Sequence, residues 1–464
     1  MSKISVETTL ENQIQKQWVS PNKYFFNRLR KRELGILIGA QIVLFCAIYS
    51  MSNFYPYLYD IHLIKSDTII GQITSVVLIS LLIFQLLFLI YIVNLFLKYK
   101  PIPSVCNDSL PDCTVIVPAY NEGELVYQTL KSIVQSDYPK EKLEIIAVDD
   151  GSKDNTLFWM EKAKTDFGSI INIFKQPENR GKRQALYQGF HNSKGSVFVT
   201  IDSDSVVEQN TLRNLVSPFI LDENCGAIAG NVKVLNKKQG IIPKMLNVSF
   251  VFSFEFIRSA QSSLGFVLCT PGALSAYRKV AVMNCLDEWI NQKFIGKTAT
   301  IGEDRAMTNL ILKQGFDVKF QKNANVLTSS PITYKNLHKM FTRWGRSNVR
   351  ETWMMNQFIF KNFRQNNKLG ARLIFINQCI KLILAIPFTV LMFYFLFSHP
   401  LLYLSSTLTS TFIFSSIQML FFSRQYNFVE ALWIYPYSIF YLFALFWITP
   451  FSIVTVKNGG WLTR

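Results

Sequence analysis

The stretch TIDSDS (200–205) sets Asp202 and Asp204 two residues apart at the end of a β-branched run. If the strand persists, both carboxylates reach one face. Paired carboxylates completed by non-protein oxygens are how proteins hold Mg2+ or Mn2+; the same pair also suits a solvated turn. AVDDGSKDN offers Asp149 and Asp150 at a second strand end, able to accept hydrogen bonds from a base or ribose or simply to start the turn. NRGKRQAL puts Gly181, Lys182 and Arg183 at a helix start, where N–H groups and cations suit an anion. TIGEDRAMTN places Glu303 and Asp304 behind a glycine and ahead of a helix. A carboxylate there can act as general base, and acidic first turns are also favoured by the helix dipole alone. FTRWGRS supplies Arg343, able to pair with phosphate, and Trp344, a platform for a sugar face or an interfacial anchor.

These residues need elements to position them. CTVIVPAYNE is a short β-branched run stopped by Pro118, the pattern of a buried strand. GELVYQTLKSIVQS has helical apolar spacing, EIIAVDDGS is a second strand, INIFK a third, GKRQALYQGFHNS a helix and SVFVTIDSDS a fourth strand. Strands alternating with helices imply a parallel α/β sheet, and such sheets bind ligands at the carboxyl ends of their strands. Both acidic clusters fall there. Residues 241–261 and 336–355 are amphipathic but interrupted by charge, as suits helices lying at a membrane interface or facing a core.

Around this centre lie apolar blocks at about 34–55, 73–97, 373–397, 401–422 and 431–456. Each has the roughly 20 residues needed to cross a hydrocarbon core. The net charge is +17, and much of it flanks these blocks, in RLRKRE, LKYK and NKLGAR. That distribution points to anionic membrane lipid rather than nucleic acid, for which no zinc, helix-turn-helix or RNA-recognition pattern is present. The loop between the first two blocks carries only Lys65 against Asp60 and Asp67, so the positive-inside bias puts the N-terminus and the centre in the cytoplasm. The seven cysteines are scattered singly without a CxxC pair, as fits a reducing compartment and neither a disulfide framework nor a zinc site. The expected division is 1–33 cytoplasmic, 34–97 two membrane helices, 98–335 the catalytic domain, 336–372 interface helices and 373–464 a membrane region with a cytoplasmic tail.

Each motif is weak alone, but VPAYNE, VDDGS, NRGKR, DSD, GED and RW follow in this order over about 230 residues, between membrane blocks. In this the chain resembles processive family 2 glycosyltransferases of the hyaluronan, chitin and cellulose synthase type, over roughly 110–464. NQKFIGKTATIGEDRAMTN followed by RWGRSNVRET resembles bacterial hyaluronan synthases and nodulation chitin-oligosaccharide synthases. VTVKNGGWLTR looks like the hyaluronan synthase terminus, whose Trp-x-Thr-Arg closes the transferase pocket.

The resemblance implies a GT-A, Rossmann-like α/β domain between N- and C-terminal transmembrane helices in the plasma membrane. It implies UDP-sugar donors, a growing polysaccharide acceptor and Mg2+ or Mn2+. Tyr120 and Asp150 would hold the uridine, with Glu122 and Asp149 beside them, and Lys182 and Arg183 would approach the diphosphate. Asp202 and Asp204 would frame the metal, with Asp204 the direct ligand. Asp304, with Glu303 next to it, would be the base on the acceptor hydroxyl. Arg343 would neutralise the departing UDP, Trp344 would stack on the acceptor sugar, and Trp461 and Arg464 would complete the pocket. Two departures stand out: Met340 occupies the glutamine place of Gln-x-x-Arg-Trp, and CTPGALSAYR (269–278) differs from the Cys-Ser-Gly-Pro form and reads more like poly-N-acetylglucosamine relatives. A cytoplasmic tail also requires that the last apolar block, with Pro436 and Pro450, be broken or re-entrant, or that one of the blocks lie at the interface.

Overall fold

The computed structural model describes residues 31–53 and 68–458. The expected 1–33 segment, apart from its last residues, and the tail residues Trp461 and Arg464 lie outside that range.

The centre is an eight-stranded sheet in the order β3-β2-β1-β4-β7-β6-β10-β5. Its first half is parallel: β1 (Cys113–Ala119) lies between β2 (Leu143–Asp149) and β4 (Val197–Thr200), and β3 (Ile171–Lys175) flanks β2. Both faces of this half are covered, which is why β1 is buried at every position and reads as an unbroken apolar run. β1 continues through Pro118 to Ala119, beyond the expected stop, because its ladder with β4 has already ended at Ile116.

The other half corrects the all-parallel expectation. β7 (Ser275–Arg278) inserts antiparallel between β4 and β6 (Cys225–Val234), β10 (Asp317–Thr328) runs parallel to β6, and β5 (Ser205–Val207) pairs antiparallel with β10. The sheet is therefore mixed. A small hairpin, β8 (Lys293–Phe294) and β9 (Lys297–Thr298), stands apart.

Helices α3 (Leu125–Val134), α4 (Thr156–Phe167) and α5 (Lys182–Asn192) follow β1, β2 and β3. The α5–β1 approach is close enough that a side chain on Gly189 would collide with Ile116. The two amphipathic stretches are α6 (Ile241–Val251), which runs on through a π turn over Phe252–Arg258, and α8 (Tyr334–Ile359). Both are wedged between the sheet domain and the apolar helices. Helix α7 (Glu303–Lys313) packs on α8, where Asn309 Nδ2 donates to the Glu351 backbone oxygen at 2.9 Å and to its carboxylate at 3.0 Å.

The glycine ahead of α7 is required. Gly302 has φ +68°, and a Cβ there would run into the Ser347 side chain on α8. Gly302→Ala should cost about 2–4 kcal/mol through left-handed strain and overpacking. Thermal unfolding in detergent checks this; an unshifted midpoint would mean that the α7–α8 contact relaxes freely.

Among the described residues, three helices are long and apolar enough to cross a membrane: α2 (Ile69–Lys98), α9 (Lys368–Ser398) and α11 (Phe428–Val454). The other two expected blocks are also helical, in α1 (Lys31–Asn53) and α10 (Pro400–Ser423), which pack on each other. The apolar part of α1 is the shorter Leu34–Ser50. α10 carries serines and threonines whose hydroxyls return to helix carbonyls, as Thr409 does to Ser405 and Ser416 to Phe412, both at 2.8 Å. α11 is segmented, with a π turn over Tyr441–Leu445 and its two prolines in the first turns of Ile434–Phe440 and Ile448–Val454. A proline there sacrifices no helical hydrogen bond.

Candidate functional site

The carboxyl ends of β1, β2 and β4 converge, and the residues that follow them form the floor of a crevice. Asp149, the last residue of β2, is fully buried; its Oδ1 accepts from the Ser152 N–H at 3.1 Å and its Oδ2 meets no donor among the described residues. Asp150 accepts from the N–H groups of Arg180 and Gly181, both at 2.9 Å, and so ties this strand end to the loop that enters α5. Burial holds its carboxyl above the usual aspartate range. The same junction needs Gly151 (φ +69°), because a Cβ would press into the Glu178 backbone. Tyr120 is half-buried. Behind it the N–H groups of Glu122 and Gly123 donate to Thr156 Oγ1 at 2.8 and 2.9 Å.

Lys182 opens α5 directly after Gly181 (φ +91°). Its ammonium pairs with Asp202 Oδ1 and lies 3.3 Å from Glu303 Oε1. Burial works against this charge, but Asp202 and Glu303 outweigh it and hold the ammonium above the ordinary lysine range. Lys182 thus bridges the strand-end acid to the start of α7. Arg183 turns away: its guanidinium donates to the Trp289 backbone oxygen at 2.8 Å and to Gln292 Oε1 at 3.1 Å, inside the core. Successive helical residues point about 100° apart, so one of the two faces the crevice and the other supports its wall. The strand does not persist to these acids: β4 ends at Thr200, and Asp204 lies two residues beyond Asp202 in the turn that leads into β5, with Oδ1 3.4 Å from both Ser205 Oγ and Thr328 Oγ1.

Glu303 is buried and Asp304 half-buried. They titrate apart. Burial opposes the Glu303 charge, but Lys182 and then Arg343 and Arg183 bring its carboxyl below the ordinary range. Asp304 is raised by burial first and by the Glu303 charge second. Arg343 on α8 is therefore close enough to act on Glu303. Trp344 beside it is 45% exposed, with Phe341 set edge-on at 5.5 Å and Phe250 at 6.2 Å.

On the other side of Asp304 a cavity of about 370 Å3 opens between α6, α8, α9 and α11. Trp344 and Phe341 form part of its wall, and Gln378, Tyr441 and Thr449 bring in the apolar helices. Cys269 joins the two spaces: it lines the cavity, and its thiol lies 3.7 Å from Asp304 Oδ2. Sequence reasoning passed over Cys269, Gly272 and Arg258. The stretch CTPGALSAYR was read for its departure from a pattern, although Gly272 sits where a Cβ would come within 2.6 Å of the Lys182 ammonium. Met340, in the glutamine place, packs against the apolar core.

The crevice thus combines acids, a lysine and a raised aspartate, next to a cavity walled by aromatics and amides. Residues 114–285 match the Glycosyl transferase family 2 pattern. Over 246 residues the chain is 33% identical to an N-acetylglucosaminyltransferase of Rhizobium meliloti, covering 53% of this chain and 57% of that protein. Over 398 residues it is 28% identical to a hyaluronan synthase of Streptococcus pyogenes, covering 84% of this chain and 90% of that one. The fold is shared with a mannosyltransferase of Pyrobaculum calidifontis solved with GDP-Man and Mn2+, at a TM-score of 0.50 and 19% identity over 80% of this chain and 93% of that one. With the GT-A-like sheet and the strand-end acids, these matches support a family 2 glycosyltransferase of the type that includes hyaluronan synthases and rhizobial N-acetylglucosaminyltransferases.

Proposed function

We propose that this chain is a membrane-embedded, processive, inverting β-glycosyltransferase. It would polymerise sugars from UDP-GlcNAc, with UDP-GlcA as second donor, and pass the product out between its own helices. One observation carries the reading. Asp304 stands between the acid-and-lysine crevice and a cavity walled by Trp344 that continues into α9 and α11. A donor on one side and an acceptor on the other would meet at that carboxylate.

In this reading the roles fall as follows. Tyr120, Glu122, Asp149 and Asp150 form the nucleoside end, with Asp150 acting through the loop it pins. Lys182 and Arg343 meet the diphosphate, and Arg183 positions Lys182 through the Trp289 and Gln292 contacts. Trp344 takes the face of the acceptor sugar. Asp304 accepts the proton of the acceptor hydroxyl as that oxygen attacks the anomeric carbon and UDP departs.

A divalent cation fits Asp202 and Asp204. Among the described residues no cluster of three or more metal-ligating side chains occurs. Two oxygen donors at the edge of an open crevice match ions that keep phosphate and water ligands, as Mg2+ and Mn2+ do. Asp202 already attracts a cation, the Lys182 ammonium. When bound, such an ion would offset charge on the leaving diphosphate.

The C-terminal course is consistent with a tail on the transferase side. The Glu430 carboxylate at the start of α11 meets Lys237 at 3.0 Å. At its end Arg346 on α8 donates to Thr455 Oγ1 at 3.0 Å and to the Asn458 backbone oxygen at 3.3 Å. Trp461 and Arg464 would then complete the pocket from the cytoplasmic face. A polymer of GlcNAc alone is the second reading, favoured by the 33% identity to the rhizobial enzyme.

The donor assay separates the two. Purified enzyme with Mg2+ or Mn2+ is given UDP-GlcNAc alone, then with UDP-GlcA added, and UDP release and product size are followed. High-molecular-weight product only with both donors is expected. Polymer from UDP-GlcNAc alone would establish the second reading, and no turnover with either would overturn both.

The pH profile checks the base. Asp304 must be ionised to accept a proton, so activity is lost as pH falls through its pKa, and a raised pKa places that acid limb higher than an ordinary aspartate would. Glu303→Gln removes a charge that raises Asp304, so the acid limb of kcat/KM should move to lower pH. An unmoved limb would assign it to another group.

A further inference from the structure

The cavity beside Asp304 contains two cations that the transfer chemistry does not use. Arg258, at the end of the π turn, lies over the Phe254 ring at 3.7 Å and donates to the Cys269 backbone oxygen at 3.3 Å and to Ser253 Oγ at 3.3 Å. Arg305, the residue after Asp304, lines the same cavity, and its guanidinium has no hydrogen-bond or ion-pair partner among the described residues. The two are near enough to repel: Arg258 is pushed below the ordinary arginine range by burial first and is further lowered by Arg305. The carboxylate acting on Arg258 is Asp304, which is already opposed by Lys182. Two like charges kept at one desolvated cavity are costly unless a matching anion arrives.

We propose that Arg258 and Arg305 form an anion subsite on the acceptor side of Asp304, and that it takes the carboxylate of an acidic sugar at the acceptor end of the polymer. This rests on the reading of the cavity as the acceptor site. A planar guanidinium matches a carboxylate in two parallel hydrogen bonds. The rest of the wall suits a sugar: Trp344 and Phe341 offer ring faces, and Gln261 and Asn348 offer amides for hydroxyls. Phosphate is the other anion available, but the crevice across Asp304 already has Lys182 for it. The subsite would make a uronate-ended chain a better acceptor than a neutral one, and so favour a polymer in which acidic and neutral sugars alternate.

The test compares two acceptors of one shape, a short β-linked oligosaccharide ending in glucuronate and the same compound with its carboxylates methyl-esterified, each with UDP-GlcNAc as donor. The wild-type enzyme should prefer the free acid. Arg305→Gln and Arg258→Gln should each lower the acid-to-ester ratio of kcat/KM by about tenfold, the loss of one charged hydrogen bond. Arg305→Lys should recover part of it, which a folding defect would not. A wild-type enzyme indifferent to the ester would overturn the subsite while leaving transfer from UDP-GlcNAc intact. A raised KM for UDP-GlcNAc, equal with both acceptors, would assign the arginines to donor phosphate and equally overturn it. No transfer from UDP-GlcNAc to either acceptor would remove the functional reading itself and the subsite with it.

Discussion

Asp304→Asn should reduce sugar transfer by about 10²–10⁴-fold and leave UDP binding nearly unchanged. The amide keeps the shape and the hydrogen bond from the Arg305 N–H (2.7 Å), but it cannot take a proton. The donor contacts assigned here to Lys182 and Arg343 are untouched. Calorimetric UDP binding alongside initial rates of UDP release checks both halves. Retained turnover would assign the base to Glu303 or another group, and lost UDP binding would show that the carboxylate holds the donor. Glu303 is the less apt base, because Lys182 at 3.3 Å stabilises its charged form and makes it a weaker proton acceptor.

The second large effect concerns the pair in TIDSDS. Asp204→Asn should lower turnover by on the order of 10²–10³-fold at fixed Mn2+ and shift the metal dependence to higher concentration. Asp202→Asn should do less to metal affinity, since its carboxylate is already engaged by Lys182, and more to the lysine itself. Asp204 Oδ1 lies 3.4 Å from the Ser205 and Thr328 hydroxyls. Titrations of UDP release against Mn2+ for the two variants check the order. Metal curves that superimpose on the wild-type curve would show that neither carboxylate binds the ion.

The crevice was legible in the sequence wherever one physical rule governed it. A parallel strand buried on both faces must be an apolar run, and the chain must then turn at its carboxyl end. CTVIVPA and EIIAVDD therefore announced both the strands and the position of Asp149 and Asp150. The DSD, GKR and GED motifs fell at the ends of such elements, and Lys182, Asp202 and Glu303 do come together.

What was not legible depended on contacts between distant segments. β7 is four residues long, SAYR, without an apolar run of its own; only pairing with β4 and β6 makes it a strand and turns the sheet from parallel to mixed. The different directions of Lys182 and Arg183 follow from helical rotation, but which one faces the crevice is decided by Trp289 and Gln292, more than a hundred residues away. Composition put five blocks in the membrane, whereas the hydroxyls of α10 and the π turn of α11 make two of them unlike plain spans. The cavity was invisible because its wall is assembled from α6, α7, α8, α9 and α11.

The most direct test of the account is a structure of the Asp304→Asn variant with UDP-GlcNAc, Mn2+ and a β-linked GlcNAc disaccharide. The donor diphosphate is expected at Lys182 and the metal at Asp202 and Asp204. The disaccharide is expected in the cavity, with a ring on Trp344 and a hydroxyl directed at residue 304. A saccharide bound elsewhere, or a donor whose anomeric carbon lies away from residue 304, would contradict it.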